Sequence, residues 1–101
     1  MFIYNITFKV DHTIVAEWIA WQKNVHIPEI MATNLFTEFK FLHLLEHDDA
    51  EGGTYIIQYH TPEKDNCDTY IKNYSPAFKE EALKKWGNKI ISYRSVLGTV
   101  H

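Results

Sequence analysis

Phe2, Tyr4, Ile6, Phe8 and Val10 alternate with Ile3, Asn5, Thr7 and Lys9. A period of two in β-forming residues predicts a strand over 2–10. The period then changes. Ile14, Trp18, Trp21 and Val25 recur at helical spacing, with Val15 and Ile19 beside them, which predicts one helix over about 13–25. Asp11 or Thr13 is placed to accept from the free amides at its start. Pro28 lacks an amide proton and disfavours helical geometry at Ile27, so a kink is expected near His26. A short helical piece from Pro28 to Thr33 should end at Asn34, a residue that tolerates a left-handed cap.

From Leu35 to about Glu46, Phe39, Phe41, His43 and Leu45 alternate with Lys40, Leu42, Leu44 and Glu46, a second strand. His47 to Gly53 forms a polar turn. Tyr55, Ile57 and Tyr59 then alternate with Ile56, Gln58 and His60 over 54–61, and two strands joined by a short glycine-bearing loop make a hairpin. Beyond Pro62, Cys67, Tyr70, Ile71 and Tyr74 fall at helical spacing. Ser75-Pro76 restarts the helix as cap and first-turn proline. Phe78, Ala82 and Trp86 recur every fourth residue, and Glu80–Lys84 and Glu81–Lys85 form favourable pairs on the wet side. Gly87 stops this helix, and 88–100 reads as a last strand.

The order is βαββαβ. Right-handed crossovers make it one ferredoxin-like α+β domain over 1–101: a four-stranded antiparallel sheet of order 4-1-3-2 with two helices on one face. The helix-covered face should take Phe2, Tyr4, Ile6, Phe8 and Val10, then Tyr55, Ile57 and Tyr59, then Ile91, Tyr93 and Leu97. The opposite face would carry Ile3, Ile56, Ile90 and Val96, with Leu42 and Leu44, among polar Asn5, Thr7, Gln58, His60, Ser92 and Arg94. The second strand is too rich in Phe and Leu for its faces to be told apart. An uncovered apolar row of that size exceeds what a monomer usually exposes. A second copy, sheet against sheet, is its simplest cover, so a homodimer is expected.

Composition narrows the function classes. The 101 residues carry a net charge of −3, so no basic nucleic-acid footprint is expected. No apolar run reaches the ~18 residues of a membrane span. The first residues lack the basic flank and cleavage site of a secretory signal, which predicts a cytoplasmic protein. One cysteine, Cys67, excludes an intrachain disulfide and a cysteine-based metal cluster.

Several strings are distinctive: Tyr4-Asn5-Ile6-Thr7, Glu17-Trp18-Ile19-Ala20-Trp21, His26-Ile27-Pro28-Glu29, 32–37, Gln58-Tyr59, and Phe78 followed by Gly87-Asn88-Lys89. With them nearly the whole chain resembles a family of short bacterial proteins defined as a domain of unknown function. More distantly it resembles the dimeric α+β barrel group. That group includes cofactor-free monooxygenases of antibiotic biosynthesis, haem-degrading monooxygenases and muconolactone isomerase-like enzymes. The resemblance implies the fold and a dimer; it attaches no activity, and fold analogy alone supplies none. Asn5 is similar to an asparagine on the first strand of the haem-degrading enzymes. Those enzymes also place a haem-ligating histidine just after a phenylalanine resembling Phe78. Here Ala82 holds the corresponding turn and 63–86 contains no histidine, so no haem, and no other cofactor, is expected.

Candidate chemistry is thin. His26, two residues before Pro28, either caps carbonyls that the proline frees or titrates in a cleft. His-x-x-Glu alone supplies two ligands, so it is no metal signature and no metal is expected. Asn5, Gln58, Ser92 and Arg94, placed together on the second sheet face, form either an inter-subunit polar network or a site where Arg94 grips a carboxylate. Trp18, Trp21, Trp86 and the tyrosines are core, or the wall of an aromatic-binding site. Cys67 has no activating neighbour in sequence. Two functions follow. The first is a homodimeric binding or interaction module. The second is a cofactor-independent monooxygenase- or isomerase-like enzyme for a small compound, aromatic ones included. There His26 is the acid–base candidate, Asn5 and Arg94 polarise, and Trp21, Gln58 and Tyr59 contact the ligand. A cavity of ~300 Å³ or more with convergent polar groups separates the second reading from the first.

Overall fold

The computed structural model describes residues 1–46 and 48–100; His47, in the expected turn, and His101 lie outside them. The chain runs β1 (Phe2–Asp11), α1 (Val15–Trp21), a π-helical turn (Gln22–His26), α2 (Ile27–Met31), β2 (Glu38–His43), β3 (Gly52–Thr61), α3 (Lys64–Asn73), α4 (Ser75–Trp86), a 3-10 turn (Gly87–Lys89) and β4 (Ile90–Gly98). The four strands pair antiparallel in the order β2-β3-β1-β4, which is the expected 4-1-3-2 read from the other edge. The fold is ferredoxin-like, with the helices against one face.

Local chemistry accounts for the breaks. Asp11 Oδ1 accepts from the amide and hydroxyl of Thr13 at 2.9 and 2.6 Å, closing the turn between β1 and α1. It does so ahead of the helix rather than as its side-chain cap. At Pro28 the ring displaces an amide donor and crowds the preceding turn. The helix meets this by widening over Gln22–His26, so the expected kink is a π-helical turn within an unbroken helical run. Asn34 ends that run with φ 62°, the left-handed cap its side chain permits. Pro76 restarts the second helical arm as a first-turn proline of α4, but the expected cap is not Ser75: the cap position is Tyr74, with no side-chain cap bond, and Ser75 is the first helical residue.

Register assigns the faces. Tyr4 opposes Tyr59, Ile6 opposes Ile57 and Phe8 opposes Tyr55, so these side chains share the helix face. They pack with Trp18, Ile27, Ile30, Cys67, Tyr70 and Trp86 into one core. Trp18, 1% exposed, sits against Phe8, Phe41 and Tyr55 at ring separations of 5.0, 5.7 and 5.5 Å. Each such side chain removed from water contributes about 1.5–3 kcal/mol. Phe39, Phe41 and His43 lie on the same face, which settles β2.

β4 corrects the expectation. Ile6 opposes Arg94 and Phe8 opposes Ser92, so Ile90, Ser92, Arg94 and Val96 are on the helix face. Ile91, Tyr93, Ser95 and Leu97 are on the outer face instead. The reversal follows from what β4 covers: its inner row borders a hollow, not packed core, while its outer row joins an apolar surface. That surface runs in cross-strand rows, Glu38-His60-Ile3-Leu97, Lys40-Gln58-Asn5-Ser95 and Leu42-Ile56-Thr7-Tyr93. Leu42, Leu44, Ile91, Tyr93 and Leu97 are all exposed on it.

Candidate functional site

Between the first helical arm, α4 and the inner row of β4 lies a partly open cavity of about 370 Å³. Its lining is largely aromatic: Phe8 from the sheet, and Trp18, Trp21, Phe78 and Trp86 from the helices. Trp21 and Trp86 meet edge to face at 5.7 Å. The π-helical turn supplies two polar groups here, because it directs both Gln22 (1% exposed) and His26 (8% exposed) inward. His26 is stacked on Trp21 at 4.5 Å and meets Phe78 edge-on at 5.4 Å. Its Nδ1 and the Gln22 Oε1 are buried without a hydrogen-bond partner, as is the Trp86 Nε1. Unpaired buried polar atoms are uncommon and costly, and three of them belong to residues around this one cavity.

Burial holds His26 well below its ordinary value of 6.5, to about 4, so its imidazole is neutral at neutral pH. At the start of α2 it makes no side-chain cap bond, and its Nδ1 has no partner. On the sheet side Tyr4, Ser92 and Arg94 line the same cavity, and α4 contributes Ser75, Lys79 and Ala82. Burial raises the Tyr4 phenol above its usual value, against the opposing pull of the Ser75 side chain and the Arg94 charge.

The structure thus brings His26, Trp21 and Arg94 together and separates the other candidates from them. Asn5 and Gln58 hydrogen-bond to each other, Gln58 Nε2 donating to Asn5 Oδ1 at 3.2 Å, on the opposite sheet face. Tyr59 is fully buried core and does not line the cavity. Ser92 and Arg94, expected beside Asn5, face the helices because of the β4 register. Sequence reading missed Gln22, Ser75 and Lys79. A signal for Gln22 existed: Trp18, Gln22 and His26 recur every fourth residue, which puts two polar side chains on an apolar stripe. Among the described residues no group of three or more His, Cys, Asp or Glu side chains is arranged to hold a metal ion. No helix among them is long and apolar enough to cross a membrane.

A fold with its site between helices and sheet edge is common to several small α+β families, and the sequence decides among them. The chain belongs to the family described as domain of unknown function DUF4286, whose model matches residues 1–100. No curated protein matches it significantly. Among solved structures it is similar to an ethyl tert-butyl ether D (EthD) family protein from Bacillus halodurans C-125. That match has 11% identity and a TM-score of 0.71, over 99% of this chain and 100% of that one. A protein from Deinococcus radiodurans, named as a proposed antibiotic biosynthesis monooxygenase, is 20% identical with a TM-score of 0.59, over 100% and 94% of the two chains. A dimeric ferredoxin-like protein from an uncultured marine organism is 16% identical with a TM-score of 0.63, over 99% and 95%. At these identities the likeness establishes the fold.

Proposed function

We propose that this chain is a cytoplasmic homodimer that binds a small, largely apolar compound in the cavity between its helices and sheet. The observation that carries this is the cavity itself: about 370 Å³, aromatic in much of its lining, with neutral and charged polar groups at defined points of its wall. Small-molecule sites have that size and that mix of apolar lining with few polar groups. A filled aromatic core would have favoured a protein-interaction module. Assembly is supported by the outer face, where Leu42, Ile91, Tyr93 and Leu97 are exposed around half-buried Ile56, an apolar row that a second copy would cover. Three solved proteins of this fold are described as dimeric. A lone buried thiol, Cys67, suits a reducing compartment.

A second reading is an isomerase-like enzyme, supported by the His26 imidazole lining the same cavity as Arg94 and Tyr4. With its pKa held at about 4, that imidazole is a weak base, suited only to an acidic proton.

The test is a titration with 2-naphthamide, a neutral planar probe, read by tryptophan fluorescence. Saturable quenching is expected, since Trp21 and Trp86 border the cavity. Ala82→Phe, which fills the cavity from α4, should abolish it while leaving the circular dichroism of the fold. Quenching that survives Ala82→Phe would place the probe elsewhere and end this reading.

A further inference from the structure

The charges around the cavity are all of one sign. Arg94 lines it from β4 and Lys79 from α4, and no aspartate or glutamate lines it. Neither cation forms an ion pair among the described residues, whose pairs lie elsewhere, at Asp11, Asp49, Glu38, Asp68 and Glu80. The chain as a whole carries −3, so this is a local inversion of sign rather than a sample of the average surface. A second concavity makes the contrast. About 350 Å³ in volume, it is bordered by Lys9 and Lys89, but also by Asp11, Asp48 and Glu51, so both signs are present and the acidic groups outnumber the basic ones.

We infer that the cavity selects a monoanion, and specifically a planar aromatic carboxylate whose ring enters among Trp21, Phe78 and Trp86 while its carboxylate meets Arg94 and Lys79 at the mouth. This rests on the small-molecule reading above and adds the class of ligand. The arrangement matches that chemistry on three counts. A guanidinium offers a planar fork of donors that fits a carboxylate in bidentate fashion. Cations beside an apolar wall attract an anion more strongly than the same cations in open water, because the wall does not screen them. Gln22 and His26 add two neutral polar side chains to the lining, the kind of sparse polar group that orients a ring in an apolar site. Ser75, the first residue of α4, also lines the cavity, so the positive end of that helix adds to the same field. Two cations suit one carboxylate.

The probe pair is 2-naphthoate and 2-naphthamide, equal in shape and different in charge, titrated by tryptophan fluorescence at pH 7 and low salt. The carboxylate is expected to bind about tenfold more tightly than the amide, the size expected for hydrogen bonds to a charged group. In the double variant Arg94→Gln, Lys79→Gln the two affinities should converge, with that of the amide unchanged. Both side chains are exposed, so the variant keeps its fold. Equal binding of the two probes to the wild type, or a preference for naphthoate that persists in the double variant, overturns the charge selection and leaves the small-molecule reading intact. If neither probe binds, both fall. Raising salt to about 0.5 M should weaken naphthoate and leave naphthamide unaffected; the same weakening of both would also count against the inference.

Discussion

The indole of Trp21 lies flat on the imidazole of His26, ring centroids 4.5 Å apart and planes inclined by 17°. In a regular α-helix residues five apart point about 140° away from each other. The π-helical turn over Gln22–His26 brings them face to face. One local widening therefore buries a titratable ring, stacks it and presents it to the cavity.

Acid should destabilise the protein through that ring. The unfolded chain protonates His26 near 6.5, whereas the folded state resists until about 4. Above 6.5 both states are neutral there and no penalty exists. Below it the unfolded state binds the extra proton, so stability falls as pH drops and the loss is complete below about 4, on the order of 3 kcal/mol. Thermal melts of the wild type and His26→Gln between pH 7.5 and 4 check this. The difference between their melting temperatures should change over that window, and a constant difference would refute it.

Ile56→Asp should disrupt assembly. Ile56 sits in the row Leu42-Ile56-Thr7-Tyr93 at the middle of the outer face. A buried, unpaired carboxylate there opposes sheet-to-sheet packing. Light scattering should give the mass of two chains for the wild type and of one for the variant. Lys84→Asp, on the wet side of α4, should keep the dimer.

Gly52→Ala should cost about 1–3 kcal/mol. Gly52 has φ 141°, a region that side chains rarely adopt, and an added Cβ would run into the Val10 carbonyl. Gly98→Ala is the control. Its Cβ would make only ordinary contact with Phe2, at 3.6 Å, so denaturant midpoints should separate the two variants widely.

Cys67 should be inert in the folded protein. It is fully buried, and burial raises its thiol above the ordinary value, which suppresses the reactive thiolate. Ellman's reagent should react with it only after denaturant is added; prompt stoichiometric reaction in buffer would contradict the packing.

The strands and their order were legible because alternation is strong where one face meets core and the other does not. β1 shows it cleanly: Tyr4, Phe8 and Val10 are buried, and Asn5 and Thr7 lie on the far side. Asn34 and Pro76 were legible because their backbone preferences are intrinsic, whereas Ser75 is the first residue of α4 and not its cap. β4 was misread for a physical reason. Ile91, Tyr93 and Leu97 are the more apolar row, and apolar rows ordinarily face the core, yet here they form part of the exposed outer surface while Ser92 and Arg94 border the cavity. A hollow reverses the usual sign of that argument. The π-helical turn was equally hidden, since Pro28 announces a disturbance without stating its form. His26 and Trp21 could be singled out by position, but their stacking could not.

Along β4, Ser92 and Arg94 point to the cavity while Tyr93 and Ser95 point the other way. A strand cannot tilt one of these rows without carrying the other, and β4, an edge strand, is held in the sheet by β1 alone. If the outer row is an interface and the inner row a binding wall, occupancy of one is thermodynamically linked to occupancy of the other, reciprocally and with the same coupling in both directions. Ligand affinity then becomes a function of how concentrated the protein is, and a dilute sample and a crowded one would report different dissociation constants for the same compound.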